Sequence, residues 1–273
     1  MSWRGRLRTS NWIGNTGRYS NWQGARGDAL TEPISVVSYG YLYNWHAVNK
    51  AVAEDDDGYS LAPEGWRIPD NADWTALETY IDDANDGRKL KSCRQVDAYA
   101  GGTCDTNIHP RWDASLIHYG ENTYNFSGVP AGRRTTSFID LGEDLYMWSA
   151  DGTGDDGYIA RLLNSNDAFE CVQRTMPKEN GGSVRLVRDT DAGDSGVLDG
   201  ESCGTEVIDG YTYDTVKIGD QVWMVQNLAT TKYRNGEDIP NVTDNTDWAN
   251  DEAGARCAYN NDEGNVFVNF EWL

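Results

Sequence analysis

The sequence predicts an α+β domain of short antiparallel strands, one or two helices and long loops. Three observations lead there. Eleven Trp and 15 Tyr stand among 29 Gly at a mean hydropathy of −0.68, a mix that suits short strands and aromatic-pinned loops better than helix bundles. Several short runs are β-branched and aromatic or alternate in polarity. One segment, residues 61–81, carries a full helix signature.

Taken in order, residues 1–35 read as a basic, aromatic arm. Ser-Asn-Trp ends at Trp12 and again at Trp22, each time with Gly and Arg behind it. So polar and Gly-rich a stretch cannot bury a core alone, and Trp3, Trp12 and Trp22 need a surface to sit against. With Arg4, Arg6, Arg8 and Arg18 they form a candidate anchor. Residues 1–27 hold five Arg and no acid, so a chain of net charge −21 leaves −26 on the remainder.

Residues 36–189 read as the main body. VVSYGYLYNWHAV (36–48) is a strand-like run ending in a short helical turn, and the acidic loop AEDDDGYS follows. In LAPEGWRIPDNADWTALETYI (61–81), Asp70 after Pro69 is the expected N-cap and Asp73 lies in the first turn. Trp74, Leu77 and Ile81 recur at helical spacing with Tyr80 beside them, so one face is buried. Residues 85–137 read as mostly loop, and strands return at 144–150, 157–163 and 182–189, where Val184 and Leu186 alternate with Arg185 and Val187.

Residues 190–208 read as a linker by composition. DTDAGDSGVLDGESCG (189–204) alternates Asp in the manner of a calcium loop but misses the EF-hand spacing of donors and closing Glu; no cofactor is expected, with calcium as the alternative. In 209–273, TVKIGDQVWMV makes two alternating runs around a Gly219–Asp220 turn, the pattern of a hairpin.

A net charge of −21 repels nucleic acid and anionic lipid, which argues against either as a partner. No stretch has the apolar length of a membrane span, and the start lacks the apolar run of a signal peptide, so no membrane insertion and no export address are expected. The five Cys are odd in number, leaving at least one unpaired; Cys93 and Cys104 flank a Gly-rich turn that suits a local disulfide. No CxxC or HxH occurs, so zinc is not expected. His46, His109 and His118 lie near no Gly-x-Ser-x-Gly elbow, and His46 reads as structural.

YGYLYNWHAV (39–48), LAPEGWRIPDNADWTALETYI (61–81), GRKLKS (87–92), FSGVPAGRR (126–134), YMWSA (146–150) and GGSVRLVRD (181–189) together resemble the Fibrobacter succinogenes major paralogous domain, a family with a C-type-lectin-like fold. In that family a segment similar to 209–262 precedes the YNW motif instead of following GGSVRLVRD. The resemblance thus implies a circularly permuted lectin-like domain: residues 209–273 complete either their own chain's domain or a neighbouring subunit's.

Relatives of that fold include sugar binders, formylglycine-generating oxidases and receptor-binding proteins of retroelement-bearing phages, and fold alone chooses none of them. The calcium-dependent sugar motif, Glu-Pro-Asn or Gln-Pro-Asp with a later Trp-Asn-Asp, is not matched: TEPIS lies outside the resembling region and TDWAND interrupts the triplet. An oxidase needs a reactive cysteine pair, and Cys171 and Cys203 lack a basic or metal context. A binding surface remains, in the long loops: Trp112, Tyr119, Tyr124 and Asn125; Asp151, Asp155, Asp156 and Tyr158; Asn164, Asn166, Asp167 and Phe169. Tyr and Trp give rigid contact area while Asn and Asp give adaptable hydrogen bonds. The expectation is a non-enzymatic bacteriophage virion surface protein, of decoration, fibre or receptor-binding type. Its arm would join other virion proteins, and its lectin-like head would meet a host glycan or protein. It would be a homo-oligomer, trimeric by analogy with phage fibres. The alternatives are an exported bacterial cell-surface adhesin, which would be extracellular, and an oxidase of the formylglycine-generating type.

Overall fold

Asn44 ends the first strand and starts the first helix. Strand β1 (Leu42–Asn44) is wholly buried, and the Asn44 carboxamide oxygen accepts from Ala47 N at 3.0 Å, capping α1 (Trp45–Val48), which α2 (Lys50–Ala53) follows. The computed structural model describes residues 38–54, 57–81, 87–96, 106, 109–115, 118–154, 156–163 and 169–266. The arm, including Trp3, Arg4, Arg6, Arg8, Trp12, Arg18 and Trp22, lies outside the described residues.

The third helix, α3 (Asn71–Tyr80), begins where the sequence places it. Asp70 accepts from Asp73 N at 2.8 Å while the Asp73 carboxylate accepts from Asp70 N at 3.1 Å, a reciprocal cap. Arg67 grips the same carboxylate at 2.9 and 2.6 Å, which makes burial of Asp73 tolerable. Trp74, Leu77 and Ile81 turn inward and have almost no exposure.

The strands are β2 (Ala131–Arg134), β3 (Phe138–Leu141), β4 (Asp144–Thr153), β5 (Asp156–Leu163), β6 (Phe169–Pro177), β7 (Gly181–Gly182), β8 (Val187–Asp189), β9 (Ser202–Ile208), β10 (Tyr211–Ile218), β11 (Gln221–Met224) and β12 (Arg256–Cys257), with α4 (Asn245–Ala249) before the last. They make two sheets. The larger runs β12–β1–β7–β2–β4–β5–β6 with β3 on β2; the smaller runs β8–β11–β10–β9. Pairing is mostly antiparallel, so the molecule is mixed helix and strand with sheet predominant.

Early and late parts of the chain share these sheets. Trp223 on β11 faces Val187 on β8, and its ring lies 4.8 Å from that of Trp74 and 5.7 Å from that of Phe126. At the other end β12 pairs with β1, and Tyr39 N donates to Asn265 O at 3.3 Å. Residues 209–266 therefore pack within the same body as the early helix, and the late hairpin turns at Gly219, whose φ of 63° is open to glycine.

Two expectations need correction. Residues 182–189 are not one alternating strand: β7 and β8 are separated, and Val184, Arg185, Leu186 and Val187 are all buried. The intervening stretch passes between the sheets, with Ser183 bonded to β4 and the Leu186 carbonyl accepting from Met224 N at 3.1 Å, so it has no solvent face. Arg185 there donates to Asn227 Oδ1 at 2.8 Å, to Ser127 O at 3.0 Å and to Phe126 O, and lies 4.4 Å from the Phe126 ring. Desolvation pushes its pKa down, and these acceptors are what hold the charge in the core. The linker expected at 190–208 is also shorter: residues 202–208 are strand β9, paired with β10, and Asp194 is buried in a two-point contact with Arg188 at 2.6 and 2.9 Å.

Replacing Trp223 with Ala removes the ring between Trp74 and Phe126 and is expected to cost about 3–5 kcal/mol. Urea unfolding measures this. One cooperative transition at a lower midpoint is the expected result; two transitions with the early block unmoved would show that the late hairpin is not part of its core.

Candidate functional site

The tip of the β4–β5 hairpin is held from three sides. Trp45 packs so closely on Gly157 that a Cβ there would lie 2.1 Å from its ring. Lys178 sits 4.3 Å over the same ring and donates to Gly154 O at 2.5 Å. The Asp151 carboxylate accepts from Asn71 N at 2.7 Å, which ties the tip to the first turn of α3, where the positive end of the helix dipole favours an anion. Asp151 is exposed, while Asp156 and Tyr158 on β5 are half-buried.

From that end a shallow groove, open almost to flatness, follows the outer side of α3, and its lining, Ala72, Thr75, Ala76, Thr79 and Tyr80, comes from that helix alone. The Thr75 hydroxyl donates to Asn71 O and the Thr79 hydroxyl to Thr75 O, both at 2.7 Å, so their methyl groups are what the groove presents. The floor is therefore apolar. Ten helical residues give it a length of about 15 Å.

Tyr80 closes the far end and is 42% exposed, one of three exposed large hydrophobic side chains among the described residues. Its hydroxyl donates to Asp199 Oδ2 at 2.5 Å, and Asp199 Oδ1 accepts from Gly219 N at 2.8 Å. The ring meets Tyr124 edge-on, centroids 6.0 Å apart. Hydrogen bonding to Asp199, more than burial, raises the Tyr80 phenol to about 12. The ring is thus tethered at its tip and braced at its edge.

The expected binding residues divide. Trp112 is a core residue, 1% exposed, with Nε1 donating to Gly128 O at 3.1 Å; that burial withdraws it from any ligand face. Asn125 is withdrawn too: it is a buried turn residue at φ 56°, whose Nδ2 donates to Gly200 O at 2.8 Å. Tyr119 is half-buried with Arg88 5.7 Å over its ring, and Tyr124 stands at the Tyr80 end. Asp151, Asp156 and Tyr158 stand at the other end or on the hairpin behind it. Asp155, Asn164, Asn166 and Asp167 lie outside the described residues, and Phe169 is placed only as the start of β6. Tyr80 itself was legible as the aromatic off the Trp74–Leu77–Ile81 stripe, but not as a site residue.

His46 is half-buried with its ring edge-on to Trp45, 6.4 Å between centroids, and burial lowers its pKa. Tyr39 and His109 Nδ1 are 2.7 Å apart. Cys93 is disulfide-bonded, and its expected partner Cys104 lies outside the described residues. Cys203 and Cys257 are free thiols that burial pushes up to about 11, the reverse of an activated cysteine. Among the described residues no group of His, Cys, Asp or Glu is placed to hold a metal ion, and no helix is long and apolar enough to cross a membrane. In the Asp-rich connection Asp194 is taken by Arg188, and Asp191 accepts from Gly193 N at 2.6 Å.

A family model, the Fibrobacter succinogenes major domain, matches residues 8–188 and 216–269. No curated protein and no solved structure matches the chain.

The Tyr80–Asp199 contact sets a testable pH dependence. A phenol raised in the folded state stabilises it below the ordinary tyrosine pKa, near 10, and that contribution is lost as pH rises towards 12. Ultraviolet titration of the wild type against Tyr80→Phe should assign one phenol ionising near 12, and Asp199→Asn should bring it back towards 10. An unchanged titration in Asp199→Asn would mean that the carboxylate does not hold the ring.

Proposed function

Because this chain belongs to the Fibrobacter succinogenes major domain family, we propose that it is a non-enzymatic display protein, a C-type-lectin-like head on the surface of a bacteriophage virion that attaches to a host-surface glycan. The supporting observation is the groove along α3: an apolar floor, a fixed and exposed Tyr80 ring, and carboxylates at both ends in Asp151 and Asp199. A pyranose offers the complement, C–H faces to lie on an aromatic ring and hydroxyls to donate to carboxylates. Pre-bracing of Tyr80 lowers the ordering cost of that contact.

The rest of the reading is sequence-borne. An arm with five Arg and no acid beside a strongly negative body suits attachment to other virion proteins at one end and display at the other, in a homo-oligomer that repeats a weak contact. The raised thiols of Cys203 and Cys257 favour binding over cysteine oxidase chemistry. An exported adhesin would use the same groove, and incorporation into particles separates the two.

A glycan array on the full chain tests the reading. Tyr80→Ala should weaken the retained glycan by about tenfold or more, the size of an aromatic hot spot. Tyr158→Phe, on the hairpin behind the groove, should not. Equal retention by wild type and Tyr80→Ala, or no glycan retained at all, would overturn it.

A further inference from the structure

Tyr39 is held by both its backbone groups and its ring. It is buried, its N donates to Asn265 O at 3.3 Å, and its carbonyl accepts from Asn227 Nδ2 at 2.9 Å. The ring belongs to the same buried cluster as Trp74, Trp112 and Trp223. Its hydroxyl meets His109, with Oη and Nδ1 2.7 Å apart and the two rings tilted by 45°.

The direction of that bond follows from the hydrogens at hand. The Arg111 backbone N–H is directed at the same phenol oxygen, so the oxygen is already an acceptor. Among the described residues the phenol hydrogen meets one acceptor, His109 Nδ1. The phenol therefore donates, and the neutral imidazole carries its own hydrogen on Nε2. An imidazolium has a hydrogen on both ring nitrogens and cannot accept. Bond and charge exclude each other.

The groups around the imidazole favour the neutral ring. Arg111 and Asp113 face it from its own stretch, and Arg94, whose Nε donates to Pro110 O at 2.6 Å, faces it from the segment packed against that stretch. Two guanidiniums thus stand against one carboxylate, and Asp113 is shared with Arg111 Nη1 at 3.5 Å. Burial and then Arg111 lower the His109 pKa from its ordinary 6.5; Asp113 pulls the other way, and Arg94 adds to the fall. The side free to yield is the loop, since His109 is exposed and Tyr39 is not. Trp112 bounds the movement. Its N donates to Arg94 O at 2.7 Å, its Nε1 to Gly128 O at 3.1 Å, and Asp113 N to Gly142 O at 2.8 Å, all to carbonyls that do not titrate.

We infer that His109 is an acid-released latch: the neutral ring fastens residues 109–111 to Tyr39, and the protonated ring frees them while Trp112 stays seated. The sign follows from linkage. A freed imidazole regains its ordinary pKa, so between the lowered value and 6.5 the open form binds more protons than the closed one. Closure is complete above 6.5 and is lost as pH falls below it, by about tenfold in the opening equilibrium for each pH unit crossed. The inference is independent of what the α3 groove binds.

Hydrogen exchange on the full chain tests it. Corrected for intrinsic rates, protection of the Arg111 amide should fall severalfold between about pH 7.5 and about pH 5, while amides of β10 and β11 keep theirs. His109→Asn sets a carboxamide oxygen near the place of Nδ1 and does not titrate, so its Arg111 amide should be equally protected at both pH values. Unchanged protection in the wild type, or an equal fall in His109→Asn, overturns the inference. Ring titration by NMR supplies a second measurement that does not depend on a shut variant, with the signal missing in His109→Asn identifying one of three histidines. The His109 ring should titrate below 6.5 in the wild type and move back up in Tyr39→Phe. Identical titration in the two proteins overturns the inference as well.

Discussion

One indole joins the two halves of the sequence. Trp223 comes from the late hairpin yet sits between Trp74 of the early helix and Phe126 of the long loop, while its backbone pairs with Val187. An indole is among the largest side chains a core can bury, and this one has no exposure at the point where the helix, loop and both strands of the seam converge. Helix α3 buries its inner face in the cluster that holds Trp223, together with residues of β4, β5 and β10. Its outer face is then left to form the groove.

Buried cations complete what the rings begin. In an acidic chain with so much loop, backbone carbonyls away from strands need donors, and Arg134 and Arg185 supply several of them. Arg134 reaches Val242 O at 2.6 Å and Thr243 O at 2.9 Å while stacked on Trp248, and so fastens the segment before β12 to β2. Arg185 does the same for the loop at Phe126 and Ser127. Arg188 instead meets a carboxylate, Asp194, whose pKa falls well below the usual range chiefly through that contact. A planar guanidinium with five donors can satisfy several carbonyls at once, and lysine cannot replace it in this geometry.

The parts legible in the sequence were those with local causes. The cap at Asp70, the stripe on α3 and the turn at Gly219 depend on neighbours within a few positions, and all three stand where their patterns put them. The stretch from Val184 to Val187 reads as an alternating strand, but a chain running between two sheets has no outer side, and nothing near Arg185 announces that carbonyls 58 and 59 positions away will bury it. Trp112 and Asn125 misled for the same reason: an aromatic or an Asn in a Gly-rich loop has the same local signature whether it faces a ligand or pins the loop. The Tyr80 end of the groove was hidden because its tether, Asp199, lies in a stretch that reads as featureless connection.

That connection is more than a join between β8 and β9. Asp199 holds both the Tyr80 hydroxyl and the turn at Gly219, and the Gly200 carbonyl accepts from Asn125 in the loop that presents Tyr124. The two aromatic residues at the end of the groove are therefore positioned by the segment that links the early and late parts of the chain. Cutting or lengthening it would leave the Trp223 seam intact, because the seam is made by strands and rings on either side. The tyrosine pair would lose its tether. Fold and binding face thus depend on different stretches of one chain: the hairpin with its indole closes the core, and the connection leading into it sets the orientation of the surface ring.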